Sequence, residues 1–309
     1  MATDATGEAE TGPLRLQFDR TIKLAFQGSS ISSDGGLLLH RELDDALGLT
    51  DIAASMMSDL RTGKNGRHQF GSFLRQSIFS RLAGYEDVND ADRLRLDPVM
   101  RQLVGGRAVK NGAASASAMG RFETEMLTQS ENLDALAELP GRWIDAVHDR
   151  RPPKVITLDM DSSESPVHGD QEGAMWNGHF QSKCLHPLFV FNQFGDLERS
   201  ALRPGNVHSA HGWEDVLKPV LARYSQKARP SIIRRRFRGD AAFALPALFD
   251  ELEAEGWDYA IRIKGNPKLH AQIDWLTKRR AGRPPNHVVR HYTSFHYRAK
   301  SWTKPRRIV

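Results

Sequence analysis

Lys154–Ser163, read KVITLDMDSS, is the stretch on which the reading of this chain turns. Val155, Thr157, Asp159 and Asp161 alternate with Ile156, Leu158 and Met160, so a strand period of two sets both aspartates on one face and the aliphatics on the other. A carboxylate at the end of a buried strand is costly to desolvate unless it is paired or holds a metal. From these residues alone two readings stand open: an aspartate capping the following turn, or a metal ligand.

Downstream the strand period continues. A polar loop over 164–178 precedes two expected strands, His179–Phe191 and Leu197–Leu202, joined by a turn at Asn192–Asp196 where Gly195 can take a positive φ. A helix near Trp213–Tyr224 collects Trp213, Val216, Leu217, Val220 and Leu221, with Pro219 inside it as an expected kink. Ile232–Arg238 reads as a fourth strand that delivers Asp240. A helix with Leu245, Leu248, Phe249 and Leu252 follows and stops at Gly256, and Trp257–Lys264 reads as a fifth strand. Three strands, a helix, a strand ending in aspartate, a helix and a strand is the element order of an RNase-H-like domain, in which the first and fourth strands lie side by side.

Upstream the period is helical. Ser33 and Asp34 can cap a helix with Leu39, Leu43 and Leu47, ended by Gly48. Thr50 can cap a second with Ile52, Met56 and Leu60, and Phe70, Leu74, Ile78 and Leu82 form a third stripe. Further helices are expected over Asn89–Leu103, over Ser115–Leu127, and in a last element ending near His148. The expected organisation is a polar, disordered lead-in over 1–25, a helical DNA-binding or dimerisation domain over 26–150, an RNase-H-like core over 151–264, and a basic, strand-rich segment over 265–309. Arg150-Arg151-Pro152-Pro153 punctuates the change of period. The fold class is α/β, a helical domain followed by a mixed-sheet core.

Composition narrows the function classes. With 309 residues, 39% apolar and 26% charged, the chain is ordinary for a soluble globular protein. No apolar run is long enough to span a bilayer, and no signal peptide opens the sequence, so a cytoplasmic setting is expected. The single cysteine, Cys184, excludes an internal disulfide and a multi-thiolate zinc site. The twelve histidines show no zinc-binding spacing. Charge is uneven: from Gly265 to Val309 eleven Lys and Arg face one acid, a net +10, which leaves −5 for the rest of a chain whose total is +5. Interleaved with Trp275, Tyr292, Phe295, His296, Tyr297 and Trp302, this tail fits a nucleic-acid contact surface, and equally a charge-guarded edge strand.

Several stretches then resemble one family in its own order: SSDGGLLLHRELDDALGL (Ser32–Leu49), LAGYEDVNDADRLRLDP (Leu82–Pro98), ASASAMGRFE (Ala114–Glu123), LDMDSSESPVHGDQEG (Leu158–Gly173), LRPGNVHSA (Leu202–Ala210), RGDAAF (Arg238–Phe243) and SWTKPRRIV (Ser301–Val309). The sequence resembles a bacterial insertion-sequence transposase of the DDE type, transposase DDE domain group 1. The resemblance implies metal-dependent phosphodiester hydrolysis and strand transfer at the ends of a mobile element, with two Mg²⁺ ions (or Mn²⁺) between three carboxylates.

Carried over by position, the first carboxylate is Asp161, followed by Ser162 and Ser163, with Asp159 as the alternative metal ligand; the second is Asp240. The bland reading of Asp240 is a helix N-cap. His168, Gly169, Gln171, Glu172 and Gly173 match one family loop beside the site, and Asn206 and His208 another. Arg121 lies in a stretch resembling a DNA-reading helix. Lys264 and the basic residues Arg279, Arg280, Arg298, Lys300, Lys304, Arg306 and Arg307 are expected to hold DNA backbone.

The chain departs from the family in three places. The third carboxylate, a glutamate on a helix beyond the fifth strand, is missing, so the chain reads as C-terminally truncated, with Asp274 as the one substitute. Arg234, Arg235 and Arg236 occupy a central strand that should be apolar. Ala241 and Ala242 replace the small polar residue and glycine expected after the second aspartate. The implied partners are double-stranded DNA, both the terminal inverted repeats and the target, and a second copy of the chain, with no membrane, in a bacterial cytoplasm near the nucleoid. The alternative is a catalytically inactive, truncated transposase that only binds DNA at the element ends.

Overall fold

A computed structural model describes residues 14–24, 34–61, 66–278, 282–283 and 286–309. The chain divides into two compact units, Met1–Arg151 and Pro152–Val309. The first is helical: α1 Leu37–Leu47, α2 Leu49–Met56, α3 Phe70–Leu82, α4 Ala91–Leu94, α5 Pro98–Val104, α6 Ala108–Asn111, α7 Ala116–Arg121 and α8 Ser130–Arg150. Gly48 ends α1 at φ 74°, as a left-handed terminus favours.

Which face of α1 is buried departs from the expectation. Leu39 and Leu43 are 43% and 49% exposed, whereas Leu37, Leu38, Arg41 and Asp44 are buried. A four-residue leucine spacing marks a helix but does not choose between two leucine-bearing faces, and a polar network makes the choice. Asp44 accepts the Thr50 backbone N–H at 2.8 Å, the Thr50 hydroxyl at 2.5 Å and Arg41 Nη1 at 3.0 Å. Thr50 is therefore a buried donor to Asp44 and not the cap of α2. Leu60 and Leu82, assigned to apolar stripes, are 58% and 55% exposed.

Two long expected helices are broken. Pro98 starts α5 because it lacks an N–H and pushes Asp97 out of the helical region, and the Asp97 carboxylate takes the Met100 N–H at 2.8 Å. Ser115 caps α7, which passes at Phe122 into a π-helical turn over Phe122–Met126.

The second unit is built on a five-stranded sheet: β1 Val155–Ser162, β2 Leu188–Asn192, β3 Leu197–Ala201, β4 Arg234–Gly239 and β5 Asp258–Ile261. The spatial order is β5-β4-β1-β2-β3; β1 is antiparallel to β2, β2 to β3, and parallel pairs join β1 to β4 and β4 to β5. This order and orientation make the domain RNase-H-like. Ile156, Leu158, Met160, Leu188, Val190 and Phe237 on one sheet face pack against α9 Trp213–Arg223 and α10 Pro246–Ala254 in a single core. Pro219 stays inside α9. The Asp215 carbonyl that its missing N–H leaves free accepts Arg199 Nε at 3.1 Å.

The expected strand His179–Phe191 is two strands in two sheets. Ser182–Leu185 is the centre of a small sheet with Ser165–Pro166 and Met175–Asn177, and β2 begins only after His186-Pro187. Proline cannot donate to a ladder, so the chain changes sheets there. Strand parity explains the three arginines of β4. Arg235 points to the helix side, 7% exposed, with Nη1 on Gln226 at 2.8 Å, Nη2 on the Arg229 carbonyl at 3.0 Å and Nε on the Tyr224 carbonyl; Arg234, Arg236 and Arg238 are exposed on the opposite face.

Beyond β5, α11 spans Pro267–Thr277, and a hairpin pairs β6 Phe295–Tyr297 with β7 Arg306–Ile308. The hairpin is fastened to α10. Trp302 is buried with its ring 5.3 Å from Phe249, and Arg306 lies 4.9 Å over the same ring.

Candidate metal and nucleic-acid site

Asp161 sits at the C-terminal end of β1 and Asp240 directly after β4. The parallel ladder pairs Asp159 with Arg238 and Met160 with Gly239, an offset of 79 residues. Asp161 and Asp240 share that offset one residue beyond the last paired positions, so both stand at the same end of two neighbouring parallel strands. Both are exposed. Asp161 accepts the Ser162 N–H and Asp240 the Ala242 N–H, each at 2.8 Å. Asp240 thus does cap the 3-10 turn Ala241–Phe243, through one oxygen, and its other oxygen remains available. Among the described residues no side chain is bonded to either carboxylate. Two adjacent unpaired carboxylates repel each other and attract a cation.

Asp159, on the same face, is differently placed. Arg238 takes both of its oxygens, through Nε at 2.6 Å and through Nη2. This hydrogen-bonded pairing holds the Arg238 guanidinium above its usual range. Asp159 is therefore already neutralised, and Asp161 is the member of the pair left open. Sequence reading gives Arg238 only as the end of the fourth strand, although its separation from Asp159 equals that between Asp161 and Asp240.

Among the described residues no group of three or more His, Cys, Asp or Glu is placed to hold a metal ion. Asp274 lies on α11, 66% exposed at its side chain and 3.9 Å from Lys278. Two exposed carboxylates nevertheless suit Mg²⁺, a hard cation that retains waters and completes its shell with substrate phosphates rather than requiring an all-protein cage.

The basic candidates separate into groups. Arg298, Lys300 and Arg307 are exposed on the hairpin, Lys264 follows β5 and is exposed, and Arg121 is exposed at the end of α7 with Nη1 3.3 Å from Ser117 Oγ. Arg306 is instead 5% exposed at its side chain and bound to Glu253 at 2.9 Å and to Asp250, and Lys304 reaches Glu253 at 2.7 Å. These two hold the hairpin to α10: the carboxylates of α10 claim them first. Arg279 and Arg280 lie outside the described residues. Of the rings, Trp275 and Tyr292 are 62% and 75% exposed, whereas Trp302 is a core residue at 6%.

An RNase-H-like sheet with aspartates at the ends of its two central parallel strands defines the class of fold. Within it the chain belongs to the family described as transposase DDE domain group 1, whose sequence pattern matches residues 14–309. Similar solved structures include a piggyBac transposase synaptic complex with hairpin DNA, at 16% identity over 84% of this chain and 55% of that one, TM-score 0.32. A Mos1 transposase paired-end complex with the left transposon end shares 16% identity over 65% of this chain and 61% of that one, TM-score 0.23. A Mos1 mariner paired-end complex with Mn shares 14% over 81% and 75%, TM-score 0.24. This chain therefore spans little more than half the length of the first two, and the likeness adds nothing to the account of the site. No curated protein matches the chain. No helix among the described residues is long and apolar enough to cross a membrane.

Proposed function

We propose that this chain cuts and rejoins DNA at the ends of a mobile element, with Asp161 and Asp240 as the ligands of Mg²⁺, or of Mn²⁺ in its place. The observation that supports the proposal is that the neighbouring parallel strands β1 and β4 end in aspartates at the same end of the sheet, with no side chain among the described residues bonded to either carboxylate. When bound, a divalent ion there polarises the phosphodiester and favours in-line attack by water or a 3′-hydroxyl. The residues supply the rest. Asp161 and Asp240 provide the anionic cradle, and the Asp159–Arg238 pair keeps the neighbouring surface close to neutral. Lys264, Arg298, Lys300 and Arg307 neutralise DNA phosphates, a sequence-independent grip that weakens with salt. The helical unit, Arg121 included, reads the terminal repeats of double-stranded DNA and pairs two copies of the chain.

The test mixes the purified chain with labelled DNA carrying the repeats that flank its gene, with Mg²⁺ or with EDTA. Metal-dependent cuts at the repeat boundary, abolished in Asp161→Asn and Asp240→Asn while DNA binding persists, support the reading. Undiminished cutting by either variant refutes it. A second reading, a chain that binds element ends without cutting, is favoured by one observation: no third carboxylate joins the pair among the described residues. Binding without cuts in the same experiment selects it.

A further inference from the structure

The loop between β3 and α9, which carries Asn206 and His208, is built with unusual investment for an exposed connection. Arg203, 6% exposed, donates from Nε to the His186 carbonyl at 2.8 Å and from Nη1 to the carbonyls of Ser209 at 2.9 Å and His211 at 2.6 Å. Desolvation pushes its guanidinium below the usual range, so the site tolerates a buried charge in order to fix both sides of the loop. His186 Nδ1 meets the Val207 carbonyl at 3.1 Å, and Asn177 donates to the Gly205 carbonyl at 2.6 Å. Gly205 is mandatory: a Cβ there would stand 2.1 Å from the Cys184 carbonyl oxygen and 2.4 Å from that of Met175.

What this scaffold presents outward is polar. Asn206 and His208 are both exposed. His208 Nδ1 accepts the Ala210 N–H at 3.2 Å, which in the neutral ring leaves the proton on Nε2 as a hydrogen-bond donor. The position is also informative. Ser162 pairs with Leu188 and Leu188 with Ala201, so the loop starts at the same end of the sheet as Asp161. Two strand spacings, about 10 Å, separate them.

We propose that Asn206 and His208 form a phosphodiester-binding subsite that holds the DNA strand next to the bond cut at Asp161 and Asp240, through neutral hydrogen bonds to phosphate oxygens. The inference deepens the nuclease reading and rests on it. A rigid loop of neutral donors that starts two strands from Asp161 and three from Asp240, at the same end of the sheet, grips a nearby phosphate of the same strand, and no counterion is released by such a contact.

The test compares wild type with His208→Ala, His208→Gln and Asn206→Ala, using duplex DNA with the repeats that flank the gene. Affinity is measured in Ca²⁺ across a salt series, so the readout does not need cutting. The expected result is a five- to tenfold weaker Kd for His208→Ala and Asn206→Ala with an unchanged salt slope, and recovery of most of the loss in His208→Gln, which restores a neutral donor. Equal affinity for wild type and His208→Ala overturns the subsite. A loss accompanied by a flatter salt slope overturns the neutral contact, and a loss accompanied by a lowered melting temperature assigns His208 to the loop's own stability. Asp161→Asn, run in parallel in Mg²⁺, tests the nuclease reading separately, because its outcome does not depend on the loop.

Discussion

Glu253→Gln should loosen the C-terminal hairpin from α10, and the structure sets the size of the effect. The Glu253 carboxylate accepts Arg306 Nε at 2.9 Å and the Tyr259 hydroxyl at 2.7 Å, and it pairs with Lys304 Nζ at 2.7 Å. Burial pushes its carboxyl up, but the hydrogen bonds from Arg306, Lys304 and Tyr259 prevail and hold it at about 2, against an ordinary 4.5. Burial and the Glu253 carboxylate likewise push the Tyr259 hydroxyl up to about 12. A carboxyl lowered that far stabilises the folded state by roughly 3 kcal/mol when ionised. With 23% of the side chain exposed, screening reduces this to about 2 kcal/mol.

Because the folded state favours the ionised form, the contribution is complete above pH 4.5 and is lost as the pH falls through about 2. Hydrogen exchange of Phe295–Tyr297 and Arg306–Ile308, corrected for intrinsic rates, reads it locally. At pH 7 the variant's hairpin amides should exchange about thirtyfold faster than wild type, the equivalent of about 2 kcal/mol. The difference should shrink below pH 4.5 and nearly vanish at pH 2. Equal exchange at pH 7, or a difference that does not change with pH, would refute the reasoning.

Other outcomes follow from the same geometry. Arg307→Ala and Lys300→Ala should each flatten the salt dependence of DNA binding by about one ion while leaving the fold intact; Arg306→Met should instead release the hairpin, visible as faster exchange and proteolysis there. Asp44→Ala leaves Arg41 with Asp45 alone and strips the buried Thr50 N–H and hydroxyl of their acceptor, so it should cost about 2 kcal/mol in urea unfolding of the helical unit. Gly205→Ala should destabilise the second unit by about 2 kcal/mol or more in the same measurement, since backbone and not a flexible side chain blocks the new Cβ. Asp161→Asn removes a repelling charge beside Asp240, so its melting temperature should equal or exceed that of wild type even as metal-dependent cutting is lost.

The alternation of Lys154–Ser163 by itself determined that β1 buries Ile156, Leu158 and Met160 and turns both aspartates the other way, because side-chain parity is a local property of an extended chain. The element order and the Asp161 to Asp240 separation were equally legible, as were the stop at Gly48 and the helix around Trp213. Each of these depends on residues within a few positions of one another, or on the count along the chain. The rest was decided by groups far apart in sequence. Arg238 claims Asp159 from 79 residues away, and Glu253 draws Arg306 out of a basic tail that composition alone offers equally to DNA and to a charged edge strand. A charge count cannot tell a guanidinium that faces water from one that faces a carboxylate, because that depends on which strands and helices become neighbours; only the folded chain determines which charges remain to meet a ligand.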